Sequence, residues 1–595
     1  MTSKKLRIAL GGAAICVIAL APGVPDAGND TFDPLLDGSP LCGVQTGGPP
    51  ALLRGLVLAA AETAPFQPVP PQPALSMKPV LYDDLGTLHF KAGTSSSMAQ
   101  AWFDQGVRLA FAFNHAEAQR AFREAQKLDP NCALCFWGEA LVLGPNINVP
   151  MMPEANPPAL AALAKAVELS KTAPPRDRAL IVALSRRYSA EPKAVRADLD
   201  AAYAKAMGEV AQRFANDDTV QVLYAEAMMD TQPWDYWEAG GAKAKGNGQA
   251  IVDTLEKVLE RNPRHPGAIH FYIHAVEAST RPERALPYAR HLGMEMPGAG
   301  HIVHMPAHIY YRVGLYRDSL ATNQRAMAVD ERYFSSSPSD PLYKSAYYPH
   351  NIHFLMVSAQ MGGDGTTAIA AAQKLDAALP VEAVKQFAIL QPVKAAPYTT
   401  HAQFSDPETI LKLTAPPDEL VLVVTMYRYA RALAFAAKKD APSAQKEIDA
   451  LAKLESDADF KPFAEWNIPA KEIVQTARVV ATGRLADAMG DLDGAGKAYD
   501  EAVFIEDTLA YMEPPYWYYP VRQSLAPVRL RQGKYDDSEK IFRESLSRVR
   551  NNAWALAGLA ETYRRKGDAA AQKKTQQAFA KAWLGNPAGP AIERL

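Results

Sequence analysis

Histidine is the residue type in this chain whose spacing could do chemistry. Nine of the twelve histidines fall between His265 and His353, in less than a sixth of the 595 residues. In three short stretches, 270–274, 301–308 and 350–353, successive histidines lie three or four residues apart, which places them on one face of a helix. Neutral imidazole is a common protein ligand for zinc, copper, iron and nickel. The spacing therefore predicts a transition-metal site.

The histidines also recur at a fixed interval along the chain. His270 and His304 are 34 residues apart, and so are His274 and His308. A period of this length is typical of a helix–turn–helix repeat that stacks into a superhelix. Each repeat then presents its histidines at the same place, and the elements that position them are the paired helices of a solenoid.

The composition excludes several other classes of protein. The chain carries 63 basic and 65 acidic residues, without the cluster of lysine and arginine that indicates a nucleic-acid partner. Alanine-rich amphipathic stretches dominate, and alternating strand patterns are scarce, so the predicted fold class is all-α. Phosphate-binding glycine loops, nucleophile elbows and the His-Glu-x-x-His motif of zinc proteases are absent from the sequence. The residues indicate a site but no particular reaction.

The amino-terminal segment has the pattern of an export signal. Basic residues precede an apolar run that ends at Ala21 and is short for a transmembrane span. We expect residues 1–27 to be an export signal or an anchor, and residues 28–80, rich in proline and glycine, to be a linker. The solenoid then occupies residues 81–595 of a periplasmic or extracellular protein, which meets a membrane only if the first segment is retained.

Small and aromatic residues recur where the two helices of one unit must pack closely. In the first clear unit they are Gly106, Ala118, Phe122, Ala125 and Pro130. On these residues the chain resembles the tetratricopeptide-repeat superfamily. The resemblance implies a right-handed superhelical solenoid whose concave groove is lined by one face of each first helix.

Several phrases extend this resemblance to a narrower group. They include Phe113-Asn-His-Ala-Glu-Ala, Cys135-Phe-Trp-Gly-Glu-Ala, Pro233-Trp-Asp-Tyr-Trp, His301-Ile-Val-His-Met-Pro-Ala-His and Tyr348-Pro-His-Asn-Ile-His. They are similar to phrases in a group of exported bacterial repeat proteins that has no settled activity. This resemblance implies the fold and a histidine site, and nothing about substrates.

With the repeat phase set by the resemblance, seven histidines of three consecutive units take groove positions. They are His270, His274, His301, His304, His308, His350 and His353. Neighbouring helices pack ~8–10 Å apart, so their imidazoles can converge on an ion ~2.0–2.1 Å from each nitrogen. Seven ligands could hold two ions, or one ion with supporting partners. Glu277 takes a groove position in the same set and is a candidate ligand or catalytic base.

Three functions fit this pattern. The first is an exported metal-dependent enzyme with copper, zinc or iron in the groove. The second is a metal-storage protein that uses the same ligands without turnover, and the third is a scaffold that binds a peptide or small acid. Mostly unprotonated imidazoles hold carboxylates poorly at neutral pH, which favours metal. An open coordination position would favour catalysis, and a set of ligands supplied entirely by protein would favour storage.

Other residues carry weaker signals. Cys132 and Cys135 begin a helix without the histidine of a haem-attachment motif, so a disulfide is expected, with a soft-metal site or redox chemistry as alternatives. The aromatic insertion 234–237 could cover the groove or anchor a loop, and Glu226 or Asp230 could join the site. The aromatic run 516–519 is predicted to be a packing cluster at a helix start.

Overall fold

The computed structural model describes residues 79–337, 341–509 and 511–595. Within these ranges the chain is all-α, and outside its helices it forms one isolated bridge, between Trp237 and Ala244, and no strand. Consecutive helices pack against one another as hairpins along the chain, which confirms the predicted all-α fold of stacked helix hairpins. In this part of the chain no helix is both long and apolar enough to span a membrane. The predicted export signal and nearly all of the predicted linker lie outside the described residues.

The helices are numbered along the described chain, and the first eight precede the histidine-rich region. They are α1 (Ser97–Phe111), α2 (His115–Leu128), α3 (Ala133–Val142), α4 (Asn156–Leu169), α5 (Pro175–Leu184), α6 (Arg196–Arg213), α7 (Asp218–Asp230) and α8 (Gly248–Arg261).

The next six helices carry the histidine phrases. They are α9 (Pro266–Val276), α10 (Leu286–Glu295), α11 (Gly300–His304), α12 (Pro306–Arg312), α13 (Tyr316–Ser336) and α14 (Pro341–Gly362). We expected one helix to hold His301, His304 and His308, but the helix divides at Pro306, which has no N–H to continue the ladder. Met305 keeps helical dihedrals (φ −51°, ψ −36°), so the three histidines stay near one helical face.

The remaining helices complete the solenoid. They are α15 (Gly365–Ala378), α16 (Val381–Gln386), α17 (Gln391–Phe404), α18 (Pro407–Leu411), α19 (Val421–Ala437), α20 (Ala441–Asp457), α21 (Lys461–Ala464), α22 (Ala470–Ala488), α23 (Leu492–Glu506), α24 (Arg522–Arg531), α25 (Tyr535–Arg548), α26 (Ala553–Lys566) and α27 (Ala569–Ala582). Between α23 and α24, residues 507–509 and 511–521 form no regular helix. We call them the closing segment.

Close packing of the first unit follows from its small residues. A Cβ on Gly106 would lie 2.5 Å from the Phe122 ring, and one on Gly138 would lie 2.4 Å from the same ring. Gly106 lies on α1 and Gly138 on α3, and the fully buried Phe122 of α2 packs between these two helices. The predicted role of glycine and phenylalanine in helix packing is therefore confirmed in this unit.

Candidate metal centre

Three histidines from α9 and α11 meet at a first cluster, which we call site 1. His270 and His274 lie one turn apart on α9, and their Nε2 atoms are 3.0 Å apart. His301, at the start of α11, brings its Nε2 atom within 3.1 Å of that of His270. All three side chains are buried. Helical spacing on one element and packing of the next thus place three imidazole nitrogens around one point.

A second cluster, site 2, joins α11 to two further helices. His304 ends α11, His308 lies on α12 and His350 on α14. The Nε2 atom of His308 is 2.8 Å from that of His304 and 3.4 Å from that of His350. These three side chains are also buried. Consecutive hairpins therefore carry two histidine triads side by side.

The spacing of the nitrogens fits coordination of one ion per triad. With metal–nitrogen bonds of ~2.0–2.1 Å, two ligands lie ~2.9 Å apart at a right angle and ~3.3 Å apart at the tetrahedral angle. The nitrogens within each triad all lie within 4.8 Å of one another. Each set supplies three ligands of a single chemical type, which suits zinc, copper or iron.

The other ring nitrogen of several histidines is held by a specific partner. Nδ1 of His270 donates to the carbonyl oxygen of Phe111 at 2.6 Å. Nδ1 of His304 lies 2.6 Å from Oδ1 of Asn323, whose amide nitrogen donates to the Ser319 carbonyl oxygen. That second bond fixes the orientation of the Asn323 amide, so the proton is on Nδ1 of His304. Such outer bonds fix both the tautomer and the ring orientation of metal-binding histidines.

A carboxyl group holds His308 in the same way. Its Nδ1 atom donates to Oε2 of Glu513 at 2.5 Å, and Oε2 of Glu277 lies 2.7 Å from the same nitrogen as an ion-pair contact. Both separations are shorter than the ~3.3 Å expected between two ligands of one tetrahedral ion.

These outer bonds turn the Nε2 atoms of His304 and His308 towards each other on the inner face of site 2. Both His304 and His308 use Nδ1 as a donor, yet their Nε2 atoms face each other at 2.8 Å. Two neutral rings in this arrangement repel, because neither has a proton to offer the other. A positive charge at Nε2, carried by a metal ion or a proton, removes the repulsion.

The pKa values separate His308 from its neighbours. Burial lowers the pKa of His308, but the carboxylates of Glu513 and Glu277 outweigh burial and raise the pKa to about 10. Burial lowers the pKa of the other five ligands of the two sites, which keeps them in the neutral form that binds metals. They are His270, His274, His301, His304 and His350.

Glu277 lies behind the histidines of both sites. One of its oxygens is 2.7 Å from Nδ1 of His308, and the other is 3.9 Å from Nδ1 of His274. The side chain is fully buried, and burial tends to raise its pKa, but the positive charge of His308 lowers it overall. The carboxylate is therefore on the outer face of one histidine from each triad.

His353 belongs to neither triad. Its Nε2 atom is 2.6 Å from the hydroxyl of Tyr518. Burial lowers the pKa of His353 to about 3, so the ring is neutral and shares a hydrogen bond with the Tyr518 hydroxyl. Of the seven histidines predicted to bind metal, six converge in the two triads, and His353 contacts the closing segment instead.

The closing segment reaches site 2, whereas its aromatic run 516–519 was predicted to be a packing cluster at a helix start. It supplies Glu513, which bonds to His308, and Tyr518, which bonds to His353. Its aromatic residues also form much of the wall of a cavity of about 170 Å³. Of the described histidines only His308 lines this cavity. The dense aromatic run flanked by prolines was the one sequence signal that could have drawn attention to this segment.

Site 1 is covered by aromatic rings instead. The Phe113 ring is 4.6 Å from that of His270, the Trp234 ring is 4.6 Å from that of His274, and the Tyr347 ring is 4.8 Å from that of His301. Trp234 is anchored by a bond from its indole nitrogen to Oδ1 of Asn148, at 3.0 Å. The insertion 234–237 therefore covers this site through Trp234. Covering the histidines was one of the two roles predicted for this insertion.

The histidines do not line an open groove, although their repeat positions predicted one. The exposed fraction of the six triad side chains is 0–1%. Aromatic residues and the closing segment fill the concave side at these repeats, so the imidazoles lie in the interior. The predicted open groove is wrong at this place.

Other candidate residues lie elsewhere. Asp230 pairs with the buried Arg187 and takes no part in either site. Glu226 lines a separate small cavity. Cys132 and Cys135 are joined by a disulfide, as expected.

Comparisons with known proteins give only distant structural similarity. No protein-family model and no curated protein matches the chain. Among solved structures it is similar to a human IFIT1 dimer with PPP-AAAA (13% identity, TM-score 0.28, 78% of this chain and 92% of that one). It is also similar to yeast Tom70 (13% identity, TM-score 0.24, 81% and 93%) and to the APC/C hetero-tetramer Cut9–Hcn1 (13% identity, TM-score 0.29, 78% and 76%). Scores this low carry no functional argument. On its own geometry, the chain is an all-α helix-hairpin repeat protein with two buried triads of histidine.

Proposed function

We propose that the protein binds two transition-metal ions, one in each histidine triad, and that the ion in site 2 is a reactive centre. The observation that supports this most is the approach of the Nε2 atoms of His304 and His308 to within 2.8 Å of each other. Their outer nitrogens are held by Asn323, Glu277 and Glu513, which is the arrangement that supports metal-binding imidazoles.

Copper, zinc and iron are the metals we propose for this neutral, all-nitrogen set. Three protein ligands leave a coordination position open, which is typical of catalytic rather than structural sites. The cavity beside His308 gives site 2 room for a small molecule, whereas site 1 is covered by aromatic rings. A metal-dependent enzyme is therefore favoured over storage, with site 2 as the reactive site and Glu277 as the carboxylate that orients its ligand His308.

We also propose that the protein is exported. The disulfide between Cys132 and Cys135 supports this, because disulfides persist in oxidising compartments. Fractionation of the native host cells, with detection of the mature chain in the periplasm or medium, tests this part of the proposal. Recovery of the intact chain from the cytoplasm alone would contradict it.

Metal analysis of purified protein tests the central proposal. Protein stripped with a chelator is dialysed against copper, zinc or iron and then assayed by mass spectrometry for metal per chain. We expect two ions per chain, one ion in His270→Ala or His304→Ala, and none in the double variant His274→Ala/His308→Ala. His89→Gln is the matched control, because His89 is an exposed histidine outside both sites.

Circular dichroism on the same samples separates loss of metal from loss of fold. The proposal fails if the stripped protein takes up none of the three metals. It also fails if the double variant keeps its helical spectrum and still binds two ions. In that second case, other residues are the ligands.

A further inference from the structure

The cavity beside site 2 has the size and wall of a binding site for one aromatic ring. Its volume of about 170 Å³ is similar to the ~150 Å³ of a protein cavity that accommodates benzene. Its wall includes the rings of Tyr311, Phe354, Tyr511, Tyr516, Trp517 and Tyr518. Aromatic side chains pack favourably against another ring, edge to face or offset.

Polar atoms in the same wall call for a hydroxyl on that ring. The Tyr516 hydroxyl, the Trp517 indole nitrogen and the Ser545 hydroxyl are buried and have no hydrogen-bond partner among the described residues. The same holds for Oε1 of Glu513, whose other oxygen contacts His308. Indole nitrogen only donates, and a carboxyl oxygen accepts. A hydroxyl group, which both donates and accepts, can satisfy atoms of both kinds.

The arginines in the wall already have partners and share the wall with the carboxyl groups of Glu506 and Glu513, so they do not select an anion. Arg312 donates to the carbonyl oxygens of Glu277 and Ser279, at 2.7 and 3.0 Å. Arg522 and Arg548 both pair with Asp507, at 2.7 and 2.8 Å. A neutral ligand fits this wall better than a carboxylate does.

From these observations we infer that the cavity binds a neutral, single-ring phenol beside the metal of site 2. The inference rests on the proposed function for the presence of that metal. The phenol ring packs among the wall rings, and its hydroxyl accepts from Tyr516 and Ser545 and donates to Glu513. Site 1, which its covering rings enclose, takes no such ligand.

Calorimetry on the zinc-loaded protein tests the inference, since zinc is redox-inert and leaves the phenol unchanged. The probes are phenol, cyclohexanol (a hydroxyl without an aromatic ring), toluene (a ring without a hydroxyl) and benzoate (a ring with a charge). We expect one phenol per chain, bound at least about tenfold more tightly than each of the other three probes, the size of effect that one buried hydrogen bond or a buried charge produces.

Two variants and a matched control locate the binding. Tyr516→Phe and Ser545→Ala each remove one hydroxyl from the wall, and we expect either to weaken phenol binding by about three- to tenfold. Tyr519→Phe is the control, because the Tyr519 hydroxyl bonds to the Arg594 carbonyl oxygen and does not line this cavity. Equal affinity for phenol and cyclohexanol, or phenol binding unchanged in both wall variants, overturns the inference.

The zinc content of each sample separates this inference from the proposed function. Two zinc ions per chain without phenol binding would refute the ligand and leave the metal sites standing. Phenol binding that Tyr516→Phe weakens, in a chain that holds no zinc, would support the cavity ligand and refute the metal sites.

Discussion

Replacing Glu277 with glutamine tests how the two sites are supported. The change keeps the shape of the side chain and removes a buried negative charge on the outer face of His308 and His274. Removing such an outer partner typically lowers metal affinity by ~10–100-fold, which is ~1.4–2.7 kcal/mol. We expect this full loss at site 2, where the oxygen is 2.7 Å from Nδ1 of His308. At site 1, where the separation is 3.9 Å and no hydrogen bond forms, we expect a loss of under about tenfold.

The assay is a competition titration with a chromophoric chelator. His304→Ala as background leaves site 1 to be measured alone, and His270→Ala leaves site 2. Glu331→Gln is the control, since Glu331 is a half-exposed carboxylate that bonds to Tyr348 and Lys374 away from both sites. Equal losses at the two sites, or no loss at site 2, would refute the assignment of Glu277 as the support of His308.

Three further outcomes are expected. Burial lowers the pKa of the five other triad histidines, so the unfolded chain binds more protons than the folded chain below pH ~6.5. Stability and metal content should therefore both fall as the pH is lowered from about 7.5 to 5. Thermal melts and metal analysis measure these two changes, and a flat profile contradicts the prediction. Gly106→Ala should destabilise the fold by about 1–3 kcal/mol, because its Cβ would lie 2.5 Å from the Phe122 ring; denaturant unfolding measures the loss, and an unchanged midpoint contradicts the packing argument. Cys132 and Cys135 should resist thiol labelling until a reductant is added, while metal content stays the same after reduction, since neither cysteine belongs to the two triads.

Much of the candidate site follows from local rules that a sequence carries. Helical geometry places residues four apart on one face, so His270 and His274 had to share a side of α9. The period of 34 residues between His270 and His304 repeats that geometry in the next unit. Helix type, repeat fold and the convergence of six of the seven predicted histidines were therefore predictable, because each depends on contacts within one helix or between neighbours in the chain.

Packing between units decided how these histidines divide. His301 and His304 lie on the same short helix, yet His301 joins site 1 and His304 joins site 2. Repeat positions put all of the histidines in one groove and leave the division open, since it depends on the rotation and spacing of each helix against the next. Of the rings over site 1, Trp234 comes from an insertion, whereas Phe113 lies between α1 and α2 and Tyr347 lies on α14.

The closing segment shows most clearly what only the tertiary structure determined. Glu513 is 205 residues from His308 in the chain, yet its carboxyl group contacts the imidazole. The sequence of an irregular segment has no periodicity from which such a contact could be predicted, because the path of the segment depends on what it packs against. The sequence by itself determined the helices and the imidazoles on their faces. The tertiary structure decided which imidazoles meet in each triad, which carboxyl groups lie behind them, and which of the two triads borders a cavity.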